Sequence, residues 1–112
     1  MTDILTQLEA TIAERIRNAD SQSSYVAQLS QHGLNKILEK VGEESIETIL
    51  AAKDAHNDQT QEHVVNETAD LVFHLLVMLA ELGIPFEEVT NTLARRMGVS
   101  GIEEKAARGR KE

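Results

Sequence analysis

The chain has 112 residues, with 19 acidic and 11 basic side chains, a formal net charge of −8, and no cysteine. This length suits one domain over residues 1–112, and the lack of thiols excludes disulfides, a cysteine nucleophile and zinc–thiolate sites. The negative charge argues against general nucleic-acid binding, which needs Lys and Arg to neutralise phosphates. A small anionic ligand would need a metal ion or a local basic cluster.

No segment of the sequence predicts export or a membrane anchor. The N-terminal segment, MTDILTQLEATIAER, acquires acidic residues early and has no long apolar run, so we do not expect a signal peptide. The longest apolar stretch, LVFHLLVMLAEL, contains His74 and is shorter than the roughly 20 residues of a membrane span. We therefore expect a soluble, cytoplasmic protein.

Apolar side chains recur at helical spacing along the chain. Five segments are predicted to be helical: 3–17 with Asp3 as N-cap, about 24–30 ending at Gly33, 35–55 with Asn35 as a candidate cap, 59–82 stopped by Gly83 and Pro85, and 86–97. A capping-box pattern at Ser100 and Glu103 predicts a final short helix or a frayed end, so residues 98–112 would form a mobile basic tail. No strand pattern interrupts the series, which predicts an all-α bundle of about four to five helices.

The third predicted helix carries three glutamates close together, in the segment GEESIE. At about 100° per residue, Glu43, Glu44 and Glu47 share a sector of roughly 100°. That sector is opposite the centre of the face formed by Val41, Ser45 and Ile49. One interpretation is a solvated face with ion pairs to Lys36 and Lys40, each contributing about 0.2–0.5 kcal/mol.

The fourth predicted helix carries a second group of polar side chains in one stripe: His63, Glu67, Asp70 and His74. His74 is expected to be a hydrogen-bonded core histidine rather than a ligand. Two carboxylate pairs on consecutive antiparallel helices would meet at one point, where like charges repel unless they are protonated or bridged by a cation. Carboxylate oxygens without cysteine favour Mg²⁺ or Mn²⁺.

The pattern GEESIE, 19 residues, ETAD resembles the signature of the all-α nucleotide pyrophosphohydrolases, the MazG-like superfamily. Within it, the segments SSYVAQL, HGLNKILEKVGEE, ADLVFHLLVML and RRMGVSGIEEKAARGR resemble the phosphoribosyl-ATP pyrophosphohydrolase family, in that order. One departure is Phe73, where the family is expected often to have Tyr. The resemblance extends from residue 23 to the C-terminus.

The resemblance implies hydrolysis of phosphoribosyl-ATP to phosphoribosyl-AMP and pyrophosphate, with Mg²⁺ as cofactor and Mn²⁺ as a substitute, by a homodimer. Residues at the matching positions then take roles. The metal ligands would be Glu44, Glu47, Glu67 and Asp70, with Glu43 as outer-shell ligand or general base. The substrate phosphates would contact Lys40, Arg96, Lys105 and Arg108.

Three other interpretations fit part of the pattern. A MazG-like house-cleaning enzyme would share the metal site but act on ordinary or damaged nucleoside triphosphates. A di-iron bundle needs Glu-x-x-His pairs, whereas Glu67 has Asp70 at that spacing. A non-catalytic helical adaptor would have no use for facing acidic pairs. A homodimer is also expected because helix 59–82 is apolar on more sides than one partner helix can cover.

Overall fold

The computed structural model describes residues 3–58 and 61–98, and every regular element within these ranges is a helix. The five helices are α1 (Ile4–Asn18), α2 (Tyr25–His32), α3 (Leu34–Asp58), α4 (Glu62–Glu81) and α5 (Phe86–Met97). This confirms the all-α fold and the number of helices predicted for the bundle. The capping box predicted at Ser100 lies outside the described residues.

Side-chain caps begin the first two helices. Asp3 Oδ1 accepts a hydrogen bond of 2.8 Å from the Thr6 N–H at the start of α1, as predicted. The Ser24 hydroxyl accepts one of 3.2 Å from the Ala27 N–H at the start of α2. Each cap satisfies an N–H group that has no partner within its own helix.

The prediction of Asn35 as the cap of α3 is wrong. α3 begins at Leu34, directly after Gly33, whose carbonyl accepts from the N–H groups of Lys36 at 3.2 Å and Ile37 at 3.4 Å. Gly33 has φ +96°, which glycine adopts without a steric penalty, so the chain can end α2 and begin α3 at one residue. α3 also continues to residue 58, through the predicted break, because residues 54–58 include no Gly or Pro.

The largest interface between helices is that of α3 with α4, and smaller interfaces join α1 to α2, α1 to α4 and α2 to α3. The side chains at the centre of the core are Ile12, Val26, Leu29, Ile37, Leu76 and Val77. α3 and α4 run antiparallel, since contacts with Glu44 involve His74 whereas contacts with Thr48 involve Glu67. This pairing brings the middle of α3 beside the first half of α4.

α5 is joined to the bundle mainly at its first residue. Phe86 packs against the core, and its N–H donates a 2.7 Å hydrogen bond to Glu9 Oε2 of α1. No residue of α5 is fully buried. The large apolar side chains that stay exposed on α3, α4 and α5 include Ile46, Ile49, Leu50, Val65, Leu93 and Met97.

α4 is the one helix within residues 3–58 and 61–98 that is long and apolar enough to cross a membrane, judged by length and composition only. It has 20 residues, whereas its longest uninterrupted apolar stretch is shorter, as the sequence indicated. A packed helix of a soluble protein meets the same criterion. In this structure α4 packs against both α3 and α1.

Candidate metal centre

The buried side of α3 contains a glutamate. Ile37, Glu44 and Ala51 follow at seven-residue intervals and are 0 %, 8 % and 1 % exposed, respectively. Seven residues are close to two helical turns, so these side chains share the face that meets the rest of the bundle. The predicted apolar face of Ile37, Leu38, Val41, Ile49 and Ala52 is therefore correct at Ile37 and wrong at Ile49. Ile49 is 60 % exposed, and the buried face is the one that holds Glu44.

α4 brings two further carboxylates to Glu44. One oxygen from each of Glu44, Glu67 and Asp70 lies within 4.8 Å of the other two. Two oxygens on opposite sides of a cation with bonds of about 2.1–2.4 Å are separated by about 4–5 Å, so the three could bind one ion. Glu67 is partly buried and Asp70 is exposed, so this carboxylate triad is open to solvent at Asp70.

Two oxygens of the triad have no hydrogen-bond partner within the described part of the chain. They are Glu44 Oε2 and Glu67 Oε2, and both are buried. A buried carboxylate oxygen without a donor is costly, and native proteins rarely leave one unsatisfied. A divalent cation would supply the missing positive charge, so these residues fit a hard metal ion.

The pKa of Glu44 also fits a site for a cation. Burial raises the pKa of Glu44 above its usual value of 4.5, and the charges of Glu47 and Asp70 raise it further, while His74 partly opposes them. Glu47 is exposed and lies outside the triad, but its charge is close enough to contribute to the raised pKa of Glu44. A cation bound among these groups would favour the ionised carboxylate and thus lower the same pKa.

Three further side chains, those of Thr48, His63 and His74, contact members of the triad, and no site role was predicted for any of them. The Thr48 hydroxyl lies 2.7 Å from the Glu44 carbonyl oxygen and 3.3 Å from that of Glu67, so it contacts both helices at this level. His63 Nε2 lies 3.2 Å from Glu67 Oε1. Thr48 is four residues from Glu44, and His63 is four residues from Glu67. This helical spacing could have predicted both contacts.

His74 is buried and hydrogen-bonded, which confirms the prediction of a core histidine. Its Nδ1 lies 2.9 Å from the Asp70 carbonyl oxygen and 3.8 Å from Glu44 Oε1. The third of these side chains therefore contacts two members of the triad, one through its backbone and one through its carboxylate.

Of the remaining predicted site residues, those that the structure describes lie outside the triad. The Lys40 ammonium donates to Glu43 Oε2 at 3.2 Å, one turn along an exposed part of α3, and this hydrogen bond and charge raise the pKa of Lys40. Arg96 is in the exposed last turn of α5. Lys105 and Arg108 lie outside the described residues.

An apolar groove of about 460 Å³ lies elsewhere, between α1 and the α4–α5 connection. Ala13, Ile16, Ile84 and Pro85 are among the residues that line it, and no member of the triad does. The carboxylates therefore form an open surface site at the α3–α4 contact rather than the floor of this groove.

Residues 5–97 match the family model described as phosphoribosyl-ATP pyrophosphohydrolase. The match includes Glu44, Glu47, Glu67 and Asp70 and covers all of α2 to α5. It begins earlier than the resemblance seen in the sequence and ends before the basic residues of the tail. Enzymes of this family are hydrolases that act on phosphoric anhydride bonds, and they depend in general on a metal ion. The chain thus belongs to the phosphoribosyl-ATP pyrophosphohydrolase family, whose substrate is the small molecule phosphoribosyl-ATP.

Proposed function

We propose that this chain hydrolyses phosphoribosyl-ATP to phosphoribosyl-AMP and pyrophosphate in the cytoplasm, as the second step of histidine biosynthesis, with Mg²⁺ as cofactor and Mn²⁺ able to replace it. The anhydride bond between the phosphoribosyl-AMP part and the pyrophosphate part breaks. One water molecule is consumed: its hydroxyl group bonds to phosphorus on one side of the broken bond, and its proton is released. One observation carries this proposal beyond family membership: Glu44 Oε2 and Glu67 Oε2 are buried beside Asp70, and neither has a hydrogen-bond partner among the residues that the structure describes.

Glu44, Glu67 and Asp70 would hold the ion, and Glu47 would join them from the exposed edge of the site. When bound, the ion would neutralise negative charge on the triphosphate and the leaving pyrophosphate and would polarise a water molecule. The sequence has no glycine-rich phosphate loop of the P-loop type, so the carboxylates' ability to hold a cation replaces direct backbone contacts to phosphate.

Glu43 and Lys40 form the proposed proton-transfer and phosphate-binding pair. Glu43 is the outer-shell ligand or the general base, and Lys40 contacts a phosphate. In the substrate-free protein the two side chains are paired at 3.2 Å. A bound triphosphate would compete for the Lys40 ammonium, and the Glu43 carboxylate would then be free to accept a proton from water.

Basic residues near the C-terminus provide the proposed discrimination between phosphoribosyl-ATP and ATP. Both molecules present the same triphosphate, but only the former carries a ribose 5-phosphate, which Arg96, Lys105 and Arg108 would contact. Charge-assisted hydrogen bonds contribute roughly 1.5–3 kcal/mol each. Deleting residues 101–112 should therefore weaken use of phosphoribosyl-ATP by about tenfold or more, with less effect on any side activity towards ATP. Equal losses on both substrates would remove this role.

The exposed apolar side chains support a homodimer as the active form. Ile46, Ile49 and Leu50 on α3 are each more than half exposed, as are Leu93 and Met97 on α5. A two-fold interface would cover the same apolar side chains on both copies and remove them from water. Light scattering at micromolar concentration should give twice the mass of the chain, and a monomeric mass would contradict the proposal.

The test of the function is product analysis after incubation of the full chain with phosphoribosyl-ATP and Mg²⁺. Pyrophosphate and phosphoribosyl-AMP should form in equal amounts, and EDTA should stop the reaction until Mg²⁺ or Mn²⁺ is added. Glu81→Gln is the matched control for a carboxylate change, because Glu81 is on α4 but lies eleven residues beyond Asp70. Equal or faster turnover of ordinary nucleoside triphosphates would favour the house-cleaning activity. Absence of divalent-metal binding would favour an adaptor.

A further inference from the structure

A chain of hydrogen bonds leads from α2 to the carboxylate triad. The Tyr25 hydroxyl lies 2.9 Å from His74 Nε2, and His74 Nδ1 lies 2.9 Å from the carbonyl oxygen of Asp70. His74 is 5 % exposed, so its two ring nitrogens depend on these partners rather than on water. Tyr25 comes from a helix that carries no member of the triad.

The chemistry of the partners assigns the proton on the ring. A backbone carbonyl can only accept, so His74 Nδ1 must carry the hydrogen in the bond to Asp70. In the neutral imidazole Nε2 is then an acceptor, and the Tyr25 hydroxyl donates to it. The same Nδ1 is 3.8 Å from Glu44 Oε1, so its N–H dipole is directed at the region between two members of the triad.

Ring packing holds Tyr25 independently of its hydroxyl. The Tyr25 and Phe73 rings are stacked with centroids 6.2 Å apart, and the His74 ring meets both of them edge-on, at 5.8 Å from Tyr25 and 5.1 Å from Phe73. Substitution of Tyr25 by Phe would keep these ring contacts. It would remove only the donor that keeps His74 Nε2 in the acceptor form.

We propose that Tyr25 is a positioning residue for the metal centre. Through its hydrogen bond it holds His74 in the tautomer and orientation in which Nδ1–H faces the Asp70 carbonyl oxygen and the Glu44 carboxylate, and this keeps the Glu44 carboxylate and the α4 backbone at Asp70 in place for a divalent cation. The inference rests on the proposed metal site. Partners that orient metal ligands from outside the first shell typically contribute about 10–100-fold to metal affinity.

α2 also offers a matched control. The Ser30 hydroxyl donates a 2.8 Å hydrogen bond to Glu81 Oε1, so Ser30 and Tyr25 both join α2 to α4 through one side-chain hydrogen bond. Glu81 is eleven residues beyond Asp70, about 16 Å along the helix axis. Ser30→Ala therefore removes the same kind of link between the same helices, but away from the triad.

The experiment measures Mn²⁺ affinity of the full-length chain by isothermal titration calorimetry for wild type, Tyr25→Phe and Ser30→Ala. We expect Tyr25→Phe to weaken Mn²⁺ binding about tenfold and Ser30→Ala to change it less than about twofold, because sites this far apart that share no partner are usually independent. Equal affinities for wild type and Tyr25→Phe would overturn the proposal. Equal losses in both variants would also overturn it, because they would mean that α2 acts only by stabilising the fold.

A second measurement uses the wild-type chain and so does not depend on folding of a variant. Nitrogen-15 NMR of the histidine rings in metal-free buffer, at a pH where the imidazoles are neutral, should show His74 as the Nδ1–H tautomer. Of the four histidines, the His74 signals are those missing in His74→Gln. An Nε2–H tautomer in wild type would overturn the proposal even if Mn²⁺ binds. Failure of the metal site itself would instead appear as absence of Mn²⁺ binding in all three proteins, with the Nδ1–H tautomer present.

Discussion

Glu81 and Glu44 lie on neighbouring helices of the same bundle, and their carboxylates have opposite surroundings. Glu81 Oε1 accepts a 2.8 Å hydrogen bond from Ser30 of α2, and Glu9 Oε2 accepts one of 2.7 Å from the Phe86 N–H of α5. Glu44 has a buried oxygen with no hydrogen-bond partner within residues 3–58 and 61–98, and so does Glu67. Glu81 and Glu9 thus join helices, whereas Glu44 and Glu67 each keep one buried oxygen at the α3–α4 contact that no donor in the described part of the chain reaches.

In the proposed function, this difference separates carboxylates that stabilise the fold from carboxylates that bind a cation. A carboxylate that receives a protein N–H or O–H contributes to the stability of the chain alone. One that is buried beside other carboxylates opposes folding until a cation arrives. If this comparison is right, neutralising a carboxylate of the triad should lower activity but not stability, whereas removing a hydrogen-bonded carboxylate should lower stability but not activity.

The largest expected effect is on catalysis. Glu44→Gln or Asp70→Asn keeps the shape of the side chain but removes charge where a hard cation needs it, so turnover of phosphoribosyl-ATP should fall by about 100-fold or more. The same amide change at Glu47 should lower turnover by orders of magnitude if Glu47 completes the ligand set. Steady-state kinetics with saturating Mg²⁺ measures this. Near-normal turnover in all three variants would contradict the metal site, whereas Glu81→Gln should stay within a few-fold of wild type.

The next largest effect is on the free energy of unfolding, and here the loss should come from a hydrogen-bonded carboxylate rather than from the triad. Glu9→Ala removes the acceptor at the N-terminus of α5, and its free energy of unfolding should fall by about 1–2 kcal/mol, as for the loss of a helix cap. Glu44→Gln, measured in EDTA, should lose nothing or gain stability because repulsion within the triad is relieved. Denaturant unfolding compares the two. A larger loss for Glu44→Gln than for Glu9→Ala in metal-free buffer would break the comparison.

The pH dependence of metal-free stability should distinguish Glu44 from an ordinary carboxylate. Its native pKa is raised above 4.5, so across the interval from 4.5 up to the native pKa the folded state binds more protons than the unfolded state, and stability falls as pH rises. Glu44→Gln removes this contribution. Its stability relative to wild type should therefore increase with pH through that interval and then level off. Denaturant titrations in EDTA at several pH values test this, and a constant difference between the two proteins would contradict it.

The smallest effect is expected at Asp3, where the dependence of stability on pH should have the opposite sign to that at Glu44. Hydrogen bonds from the Thr6 backbone and side chain lower the pKa of Asp3 below 3.8, and the backbone bond is the main cause. A lowered native pKa gives a contribution that is present above about 3.8 and is lost as pH falls through the native value. Asp3→Asn keeps a capping oxygen but does not titrate, so wild type should lose stability relative to this variant at low pH. The same denaturant titrations, extended below pH 3.8, measure it. An opposite slope would refute this assignment.

Helix positions were predictable because local signals agree with the fold. Asp3 caps α1, Gly33 ends α2, and α5 spans the predicted residues 86–97. Errors occurred where a signal was ambiguous. Asn35 can cap a helix, but Gly33 had already supplied the carbonyl that begins α3, and the polar residues after 53 did not prevent the helix from continuing.

The carboxylate types and their pairing on two consecutive helices were also readable from spacing, but their burial was not. A helical wheel around Ser45 counted Ile49 as a core residue and Glu44 as a residue of the opposite side, and the structure has Glu44 buried and Ile49 exposed. The wheel fails here because it assumes that the buried face is the more apolar one. That assumption fails on this part of α3, where Glu44 is buried beside Glu67 and Asp70 of α4.

The sequence by itself determined the helices, the family and the set of acidic residues, because each depends on residue types at short spacing along one chain. The tertiary structure decided which of these acids meet: Glu44 of α3 and Glu67 and Asp70 of α4 come within 4.8 Å. It alone revealed that Tyr25, 49 residues from His74, contacts the histidine beside the triad. Such contacts depend on the rotation of each helix about its axis and on how far it slides along its neighbour. Packing of the whole core sets both quantities, and no local spacing records them.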